Sequence, residues 1–412
     1  MPTRFIGLDI HKHYFVAVGV NPARQPVFGP HKISVLQLDA WGRQHLTQDD
    51  AVVVEMTTNT YEFYDTLLPY AGSIIAVHPP HVALVSRVPV KTDKKAALAL
   101  AQLHAAGLLE GVWIPPLEVR ELRALVSQRG KMVKLATIAK SRLQATLHRH
   151  HLHPPEGFRL YDARMRPWWE ALRVGTFEKI RVINDLDTLA FAQKQQALLE
   201  ASLAEAAAKD ERIPLLVQVP GVAMLTAITI LAAVGDITRF PTARKLVGYA
   251  GLGARVHDSG LTHATGRITK TGRKDLRKAL VDAANHAIQH HWHWKQEFER
   301  LSFRLGRSKA VVAIARKLLI AVWHVLTYEV ADRFADPRDV ACSLFKHAYR
   351  VRVKNLGGLS AKQFTRRQLD RLKLGQELTV IPWGTKRVLL PPSNLAAQAD
   401  AEGEEPEGKQ KE

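Results

Sequence analysis

Three acidic residues, each set in a different kind of local sequence, could carry chemistry in this chain: Asp9 in GLDIHKHYFVAVGV, Glu55 in AVVVEMTTNTY and Asp93 in VKTDKKAALALAQL. The first two sit on or just after β-branched runs of strand type, and the third opens an Ala- and Leu-rich stretch of helix type. Carboxylates delivered by strands and a helix can surround a hard divalent ion such as Mg2+. An ion that stays open to phosphate points to phosphodiester chemistry. Each acid also has a plainer reading. Asp9 in an apolar strand would be costly to desolvate alone, a cost that a cation or a set of backbone N–H donors would offset. Glu55 could cap the helix that follows it, and an Asp in a first helical turn is ordinarily favoured by the helix dipole. Two strand-borne acids together are more specific than either one.

The elements that must position these acids read as an α/β alternation. Arg4 to about Val20 has a strand pattern, followed by a turn at Asn21 and Pro22 and a second strand from Val27 to Ser34. A strand from Ala51 to Glu55, a helix from Thr60 to Tyr70 and a buried strand from Ser73 to Val77 come next. Thr92 can cap a helix running from Asp93 to Leu109. After Pro115 and Pro116, the segments Leu117 to His150 and Phe177 to Asp210 carry apolar residues at helical spacing. A Pro- and Trp-bearing turn from Pro154 to Trp169 joins them. They read as an antiparallel hairpin or coiled coil, serving either as a dimerisation arm or as a spacer packed on its own domain. A mainly helical unit begins near Ile213, and the pattern weakens beyond Asp336. The expected boundaries are residues 1–115, 116–212, 213–335, an extension 336–395, and a tail 396–412 whose composition predicts disorder.

Composition narrows the partners. The 412 residues include 58 Lys and Arg against 39 Asp and Glu, a net charge of +19. That excess argues for a polyanion, with affinity supplied mainly by phosphate contacts. No apolar run approaches the roughly 20 residues needed to span a bilayer, and the N-terminal residues lack a secretory pattern, so a cytoplasmic protein without a membrane partner is expected. A single cysteine, Cys342, excludes an internal disulfide and a Cys-based zinc site. The cluster His148, His150, His151 and His153 reads as a solvated helix end rather than a ligand set.

Cationic residues concentrate around Ser259, which lies in a Gly-bounded stretch flanked by Arg255, His257, Arg267, Lys270, Arg273, Lys274 and Arg277. Alternating Gly, Thr and Lys/Arg would let backbone N–H groups and hydroxyls reach phosphates. Arg304, Arg307, Lys309, Arg316 and Lys317 add a second basic surface. Ser259 itself could be a turn serine bonded to its own backbone. A serine hydroxyl becomes a nucleophile near neutral pH only beside a base, a metal or a cationic setting.

The series GLDIHK, VVVEMTTN and VKTDKKAALALAQL resembles the RuvC-type domain of the DEDD transposases of the insertion-sequence 110 family. Pro220–Gly221–Val222, Leu225–Thr226–Ala227, Gly235–Asp236, Arg239–Phe240, Gly248–Tyr249–Ala250–Gly251–Leu252, Ser259–Gly260 and GRITKTG from Gly266 resemble the same family's C-terminal transposase domain. The resemblance spans roughly Phe5 to Val330. It implies an α/β plus α protein: a RuvC-like (RNase H fold) domain, a helical coiled-coil arm and a mainly helical C-terminal domain with a helix-hairpin-helix element. It also implies Mg2+ held by Asp9, Glu55 and Asp93, Ser259 as a nucleophile that joins covalently to DNA, double-stranded donor and target DNA, a noncoding bridge RNA, and a homo-oligomer, dimer or tetramer. Ala223 stands where the hairpin motif usually has a second glycine, so a core-building turn at Gly221 stays open.

One departure bears on activity. The family pattern places a second acid three residues after Asp93, on the same helical face, and here that position is Ala96. A methyl group cannot ligate an ion. Three explanations stay open: a substituted copy, an inactive copy, or a working site in which water completes the ligand set. The rival functions are a RuvC-like metal-dependent nuclease or junction resolvase, in which water attacks, and a nucleic-acid-binding protein impaired in catalysis.

Overall fold

The structure, a computed structural model, describes residues 2–79, 92–259 and 262–395, with side chains described except at 256–259 and 262–266. The tail from Ala396 and Gly260 of the Ser-Gly pair lie outside the described residues. The chain divides into two compact units, Met1–Pro116 and Leu117–Glu412.

The first unit is built on a five-stranded sheet. Its strands are β1 (Arg4–Ile10), β2 (Tyr14–Val20), β3 (Pro26–Ser34), β4 (Asp50–Glu55) and β5 (Ser73–Val77), in the order β3-β2-β1-β4-β5. The single strand expected from Arg4 to Val20 is two strands of a hairpin. The polar triplet His11–Lys12–His13 interrupts the apolar run, and the His11 N–H donates to the Tyr14 carbonyl at 2.9 Å to close the turn. β1 and β2 pair antiparallel, while β1, β4 and β5 run parallel. Arg4 and Asp50 open β1 and β4 as register partners, and their side chains form a two-pronged ion pair with both contacts at 2.7 Å.

Helices cover both faces. Alternation along β1 turns Ile6, Leu8 and Ile10 toward Leu38 and Trp41 of α1 (Leu38–His45) and Phe63 and Leu67 of α2 (Thr60–Leu67), all in one apolar cluster. The sequence reading did not anticipate α1, because LDAWGRQH contains a glycine and few apolar residues. Gly7 and Asp9 therefore face the other side. There α3 (Asp93–Ala105) buries Ala97 against Val16 and Val18, and Leu100 against Val53 and Val77. Thr92 caps α3 by accepting from the Lys95 N–H at 3.4 Å, and the helix stops four residues short of the expected Leu109, ahead of Gly107 at φ +67°. The seat of this helix is Gly7. A Cβ there would lie 2.1 Å from the Ala97 carbonyl oxygen and 2.7 Å from the Ala101 nitrogen, so only a residue without a side chain admits the helix backbone.

The second unit is helical. Helices α4 (Leu117–Arg149) and α6 (Thr176–Lys209) flank the short α5 (Arg166–Glu170). Ala136, Ala139, Leu143 and Leu147 share an apolar cluster with Val182, Leu186, Leu189 and Ala192. Ion pairs Arg129–Glu200 at 2.6 Å and Arg142–Asp185 at 3.4 Å, and the Arg149–Glu178 contact, run in opposite chain directions, so the two helices are antiparallel.

The chain then continues through α7 (Arg212–Val217), α8 (Met224–Val234), α9 (Ala243–Tyr249), the hairpin β6 (Ala254–Ser259) and β7 (Thr262–Ile268), α10 (Lys274–His290), α11 (Trp292–Leu305) and α12 (Arg307–Tyr328). Gly221, between α7 and α8 at φ +82°, has its Cβ position 2.1 Å from the Ala283 carbonyl of α10, which is the close approach of a core-building turn. Contrary to the expectation that no apolar run approaches spanning length, α12 is long and apolar enough to cross a bilayer despite Arg316 and Lys317. Its Ala310, Ile314, Leu318, Val322 and Val325 are fully buried in the protein core.

Beyond Asp336, where the sequence pattern weakens, the chain still forms regular elements. Helices α13 (Pro337–Arg350) and α14 (Ala361–Arg371) and the hairpin β8 (Val380–Trp383) and β9 (Lys386–Leu389) place Leu344, Phe345, Leu369 and Ile381 in the same core cluster as α12. Their amphipathic spacing is masked in the sequence by exposed Arg and Lys. Buried Arg366 ties this region together, donating to the carbonyls of Pro391 and Gly375 at 2.9 Å each and to that of Leu378.

Two expectations follow. Gly7→Ala should destabilise the first unit by about 1–3 kcal/mol, since backbone cannot yield as a side chain would; a urea midpoint equal to wild type would refute the seat. Arg366→Met should strip two buried carbonyls and a part-buried one of their donor and cost about 3 kcal/mol. Amide hydrogen exchange would then rise across residues 361–390.

Candidate metal centre

The β1–β2 hairpin and the first turn of α3 bring together Asp9, His11 and Asp93, each partly buried, with one ligand atom from each lying within 4.8 Å of the others. It is the one such group among the described residues. His11 Nε2 lies 3.4 Å from Asp9 Oδ2 and 3.5 Å from Asp93 Oδ1. Tyr14, at the start of β2, donates its hydroxyl to Asp93 Oδ2 at 2.9 Å, which turns the other carboxylate oxygen toward His11. Its ring packs on that of His11 at 4.7 Å between centroids, and the Lys32 ammonium sits over the same ring at 3.9 Å. The Tyr14 hydrogen bond, with help from His11 and Lys32, holds the Asp93 carboxyl below its ordinary range, and the carboxylate in turn raises the Tyr14 phenol. Asp93 is therefore an anion when the site meets a cation.

Glu55 follows Val54, which pairs with Leu8, as Asp9 follows Leu8. The two acids thus lie toward the same end of neighbouring parallel strands. The Glu55 carboxylate is not one of the three atoms within 4.8 Å. Its backbone is fixed by the fully buried Thr60, whose hydroxyl donates to the Glu55 carbonyl at 3.0 Å. Ala96 lies one turn beyond Asp93 on α3 and brings no donor. Two converging carboxylates suit a hard divalent cation. His11, Tyr14, Lys32 and Gly7 were missed as site residues. The signals were the short step from Asp9 to His11 at a strand end, where alternate residues share a face, and a glycine two residues before a strand-borne acid.

The remaining predicted residues lie in the second unit. Ser259 is the last residue of β6, with its backbone paired to Thr262 at the end of the hairpin. Arg267, Lys270, Lys274, Lys309, Arg316 and Lys317 are exposed. Of these, Lys317 pairs with Glu297. Also engaged are Arg273, donating to Asp275 at 3.0 Å, Arg277, to the Ala250 carbonyl at 2.9 Å, and exposed Arg255, to the Thr269 carbonyl at 3.3 Å. His148, His150, His151 and His153 are exposed and belong to no ligand group.

Comparison with known proteins bears directly on these residues. A family model for DEDD-type IS110 proteins, described as Transposase, matches residues 6–152, and one described as Transposase IS116/IS110/IS902 family matches residues 213–299. Among similar proteins, a transposase for insertion sequence element IS1111A from Coxiella burnetii is 25% identical over 340 residues, covering 80% of this chain and 91% of its own. A pilin gene-inverting protein from Moraxella bovis is 25% identical over 343 residues, covering 79% and 96%. Together the two matched regions take in Asp9, Asp93 and Ser259 and more than half of the sequence, and the chain belongs to the IS110 family of DEDD-type transposases.

Proposed function

We propose that this transposase cuts and rejoins the DNA of an insertion sequence through a covalent serine intermediate. The observation that carries the reading is the convergence of Asp9 and Asp93 from a strand end and a helix start, with Glu55 closing the adjacent strand. Asp9 and Asp93, with Glu55 beside them, would hold a divalent cation, Mg2+ in the family pattern. Bound there, the ion supplies charge stabilisation at a phosphate. Tyr14 orients Asp93 through its hydrogen bond, and Lys32 contributes positive potential at the edge of the site.

The nucleophile is Ser259. Its Oγ forms a bond to phosphorus as the bond from phosphorus to O3′ breaks, giving a 5′-phosphoserine and a 3′-hydroxyl. The serine proton passes to solvent or a nearby base, and the departing O3′ takes one up. Attack by that hydroxyl on the phosphoserine rejoins strands without a net loss of phosphodiester bonds. Exposed Arg267, Lys270, Lys274 and Lys309 would engage DNA phosphates. By resemblance, a noncoding bridge RNA selects donor and target, and the working form is a homo-oligomer.

The test is to incubate the protein with element-end DNA, its noncoding RNA and Mg2+, then denature. A covalent protein–DNA band is expected that disappears with Ser259→Ala and with EDTA, while Ser259→Cys retains a trace. An adduct that survives Ser259→Ala would overturn the assignment, and strand scission without any adduct would favour water as the nucleophile, as in a junction resolvase.

A second reading rests on Ala96. With a carboxylate fewer than the family pattern, the chain would bind nucleic acid but cut it poorly. Ala96→Asp should then raise scission at least tenfold, about 1.4 kcal/mol of barrier. Equal rates in both forms would reject impairment at this position.

A further inference from the structure

His11 has no role in the reading above, yet its placement is specific. Nε2 is inaccessible to solvent and has no hydrogen-bond partner, although it points between two carboxylates. As a neutral acceptor it would present a lone pair to two anions. As a donor it stands at 3.4 and 3.5 Å, beyond a normal N–H···O bond to either. A buried polar atom left in this state is costly. A cation placed among the three groups removes the conflict, because three mutually repelling Lewis bases become a ligand set. Donors held at right angles about 2.1 Å from one ion are about 3.0 Å apart; the imidazole nitrogen stands 3.4 and 3.5 Å from the two carboxylate oxygens, about half an ångström from that spacing, and the three atoms all lie within 4.8 Å of one another.

The His11 backbone is fixed independently of any ion, and one aromatic contact braces its ring. The Asn59 side-chain amide donates to the His11 carbonyl at 3.3 Å, the His11 N–H donates to Tyr14, and the Tyr14 ring packs alongside. The phenol that braces the imidazole also aims Asp93.

We propose that His11 Nε2 is a metal ligand that supplies the donor Ala96 cannot, so that Asp9, His11 and Asp93 form a mixed nitrogen and oxygen site that prefers first-row cations such as Mn2+ over Mg2+. Imidazole suits first-row transition metals, whereas Mg2+ favours oxygen donors and gives up water reluctantly. The inference rests on the proposed use of Asp9 and Asp93 as ligands, and it departs from an all-carboxylate site in both donor type and metal preference.

The experiment uses the full-length protein without nucleic acid and Mn2+ as the probe. Binding is followed by loss of the free-ion paramagnetic resonance signal, with competition by Mg2+, and nitrogen coupling to the bound ion is read by spin-echo modulation. Wild type should bind Mn2+ at least tenfold more tightly than Mg2+ and show coupling to one directly bound nitrogen. His11→Ala and His11→Gln should abolish that coupling and weaken Mn2+ by about tenfold or more, with a smaller change for Mg2+. The double variant His11→Ala/Ala96→Asp should recover affinity without nitrogen coupling and reverse the preference toward Mg2+.

If Mn2+ binding depends on Asp9 and Asp93 but shows no nitrogen coupling and does not respond to His11→Ala, the inference fails while the carboxylate site stands. If Asp9→Asn and Asp93→Asn leave Mn2+ binding unchanged, the reading beneath it fails instead. Tighter Mg2+ binding in His11→Ala would mean that His11 acts as a protonated counter-charge, which also overturns the proposal.

Discussion

The candidate centre depends on one steric constraint: the backbone of α3 rests directly on the Cα of Gly7. Asp9 lies two residues further along the same face of β1, and Asp93 begins the helix that Gly7 admits. Any side chain at position 7 would meet carbonyl oxygen and amide nitrogen of α3 rather than a movable side chain. The helix would have to lift, and Asp93 would lift with it. Hydrophobic contacts of Ala97 and Leu100 hold the helix to the sheet, but they are non-directional and would tolerate a shift. The glycine fixes the depth of the contact, and depth decides whether two carboxylates can share an ion. The Arg4–Asp50 pair complements this by anchoring β1 against β4 in register, which carries Asp9 and Glu55 to the same end of the two strands.

Much of the first unit was legible because its strands are short, apolar and bounded by turn residues, so β4, β5, α2 and the capped start of α3 lie close to where periodicity placed them. The β1–β2 hairpin was not. A turn of His-Lys-His lacks the glycine, proline or asparagine that ordinarily marks one, and β2 is buried at every position from Phe15, which hides the change of phase, so the two strands read as one. That miss concealed His11 and Tyr14, since both become site residues only when the chain doubles back. In the second unit the long helices Leu117–Arg149 and Thr176–Lys209 announced themselves by length. The region after Asp336 did not, because α14 combines a capping box at Ser360 and Gln363 with a face of exposed cations, and its buried Arg366 reads in sequence as one more surface charge. Whether a cation is spent inside the fold cannot be seen from spacing.

The same distinction sharpens what the net charge of +19 means. Several arginines serve the protein itself. Arg123 donates to the carbonyls of Ala232 and Ala233, Arg239 to Val234 and Arg212 to Gly235, so three guanidinium groups gather at the C-terminus of α8, where unpaired carbonyls and the helix dipole favour positive charge. Arg277 and Arg366 are similarly bound to backbone carbonyls. These groups add to the formal charge yet have their donors turned inward. Exposed Arg267 on β7, with Lys270 and Lys274 just after that strand, lie close in sequence to the residue proposed to attack DNA. The cations that face solvent are therefore fewer than composition implies, and under the proposed function those nearest Ser259 in sequence are the ones that would count. For chemistry at one phosphodiester bond, local charge density is the quantity that matters, because screening limits each contribution to about 8–10 Å at ordinary salt.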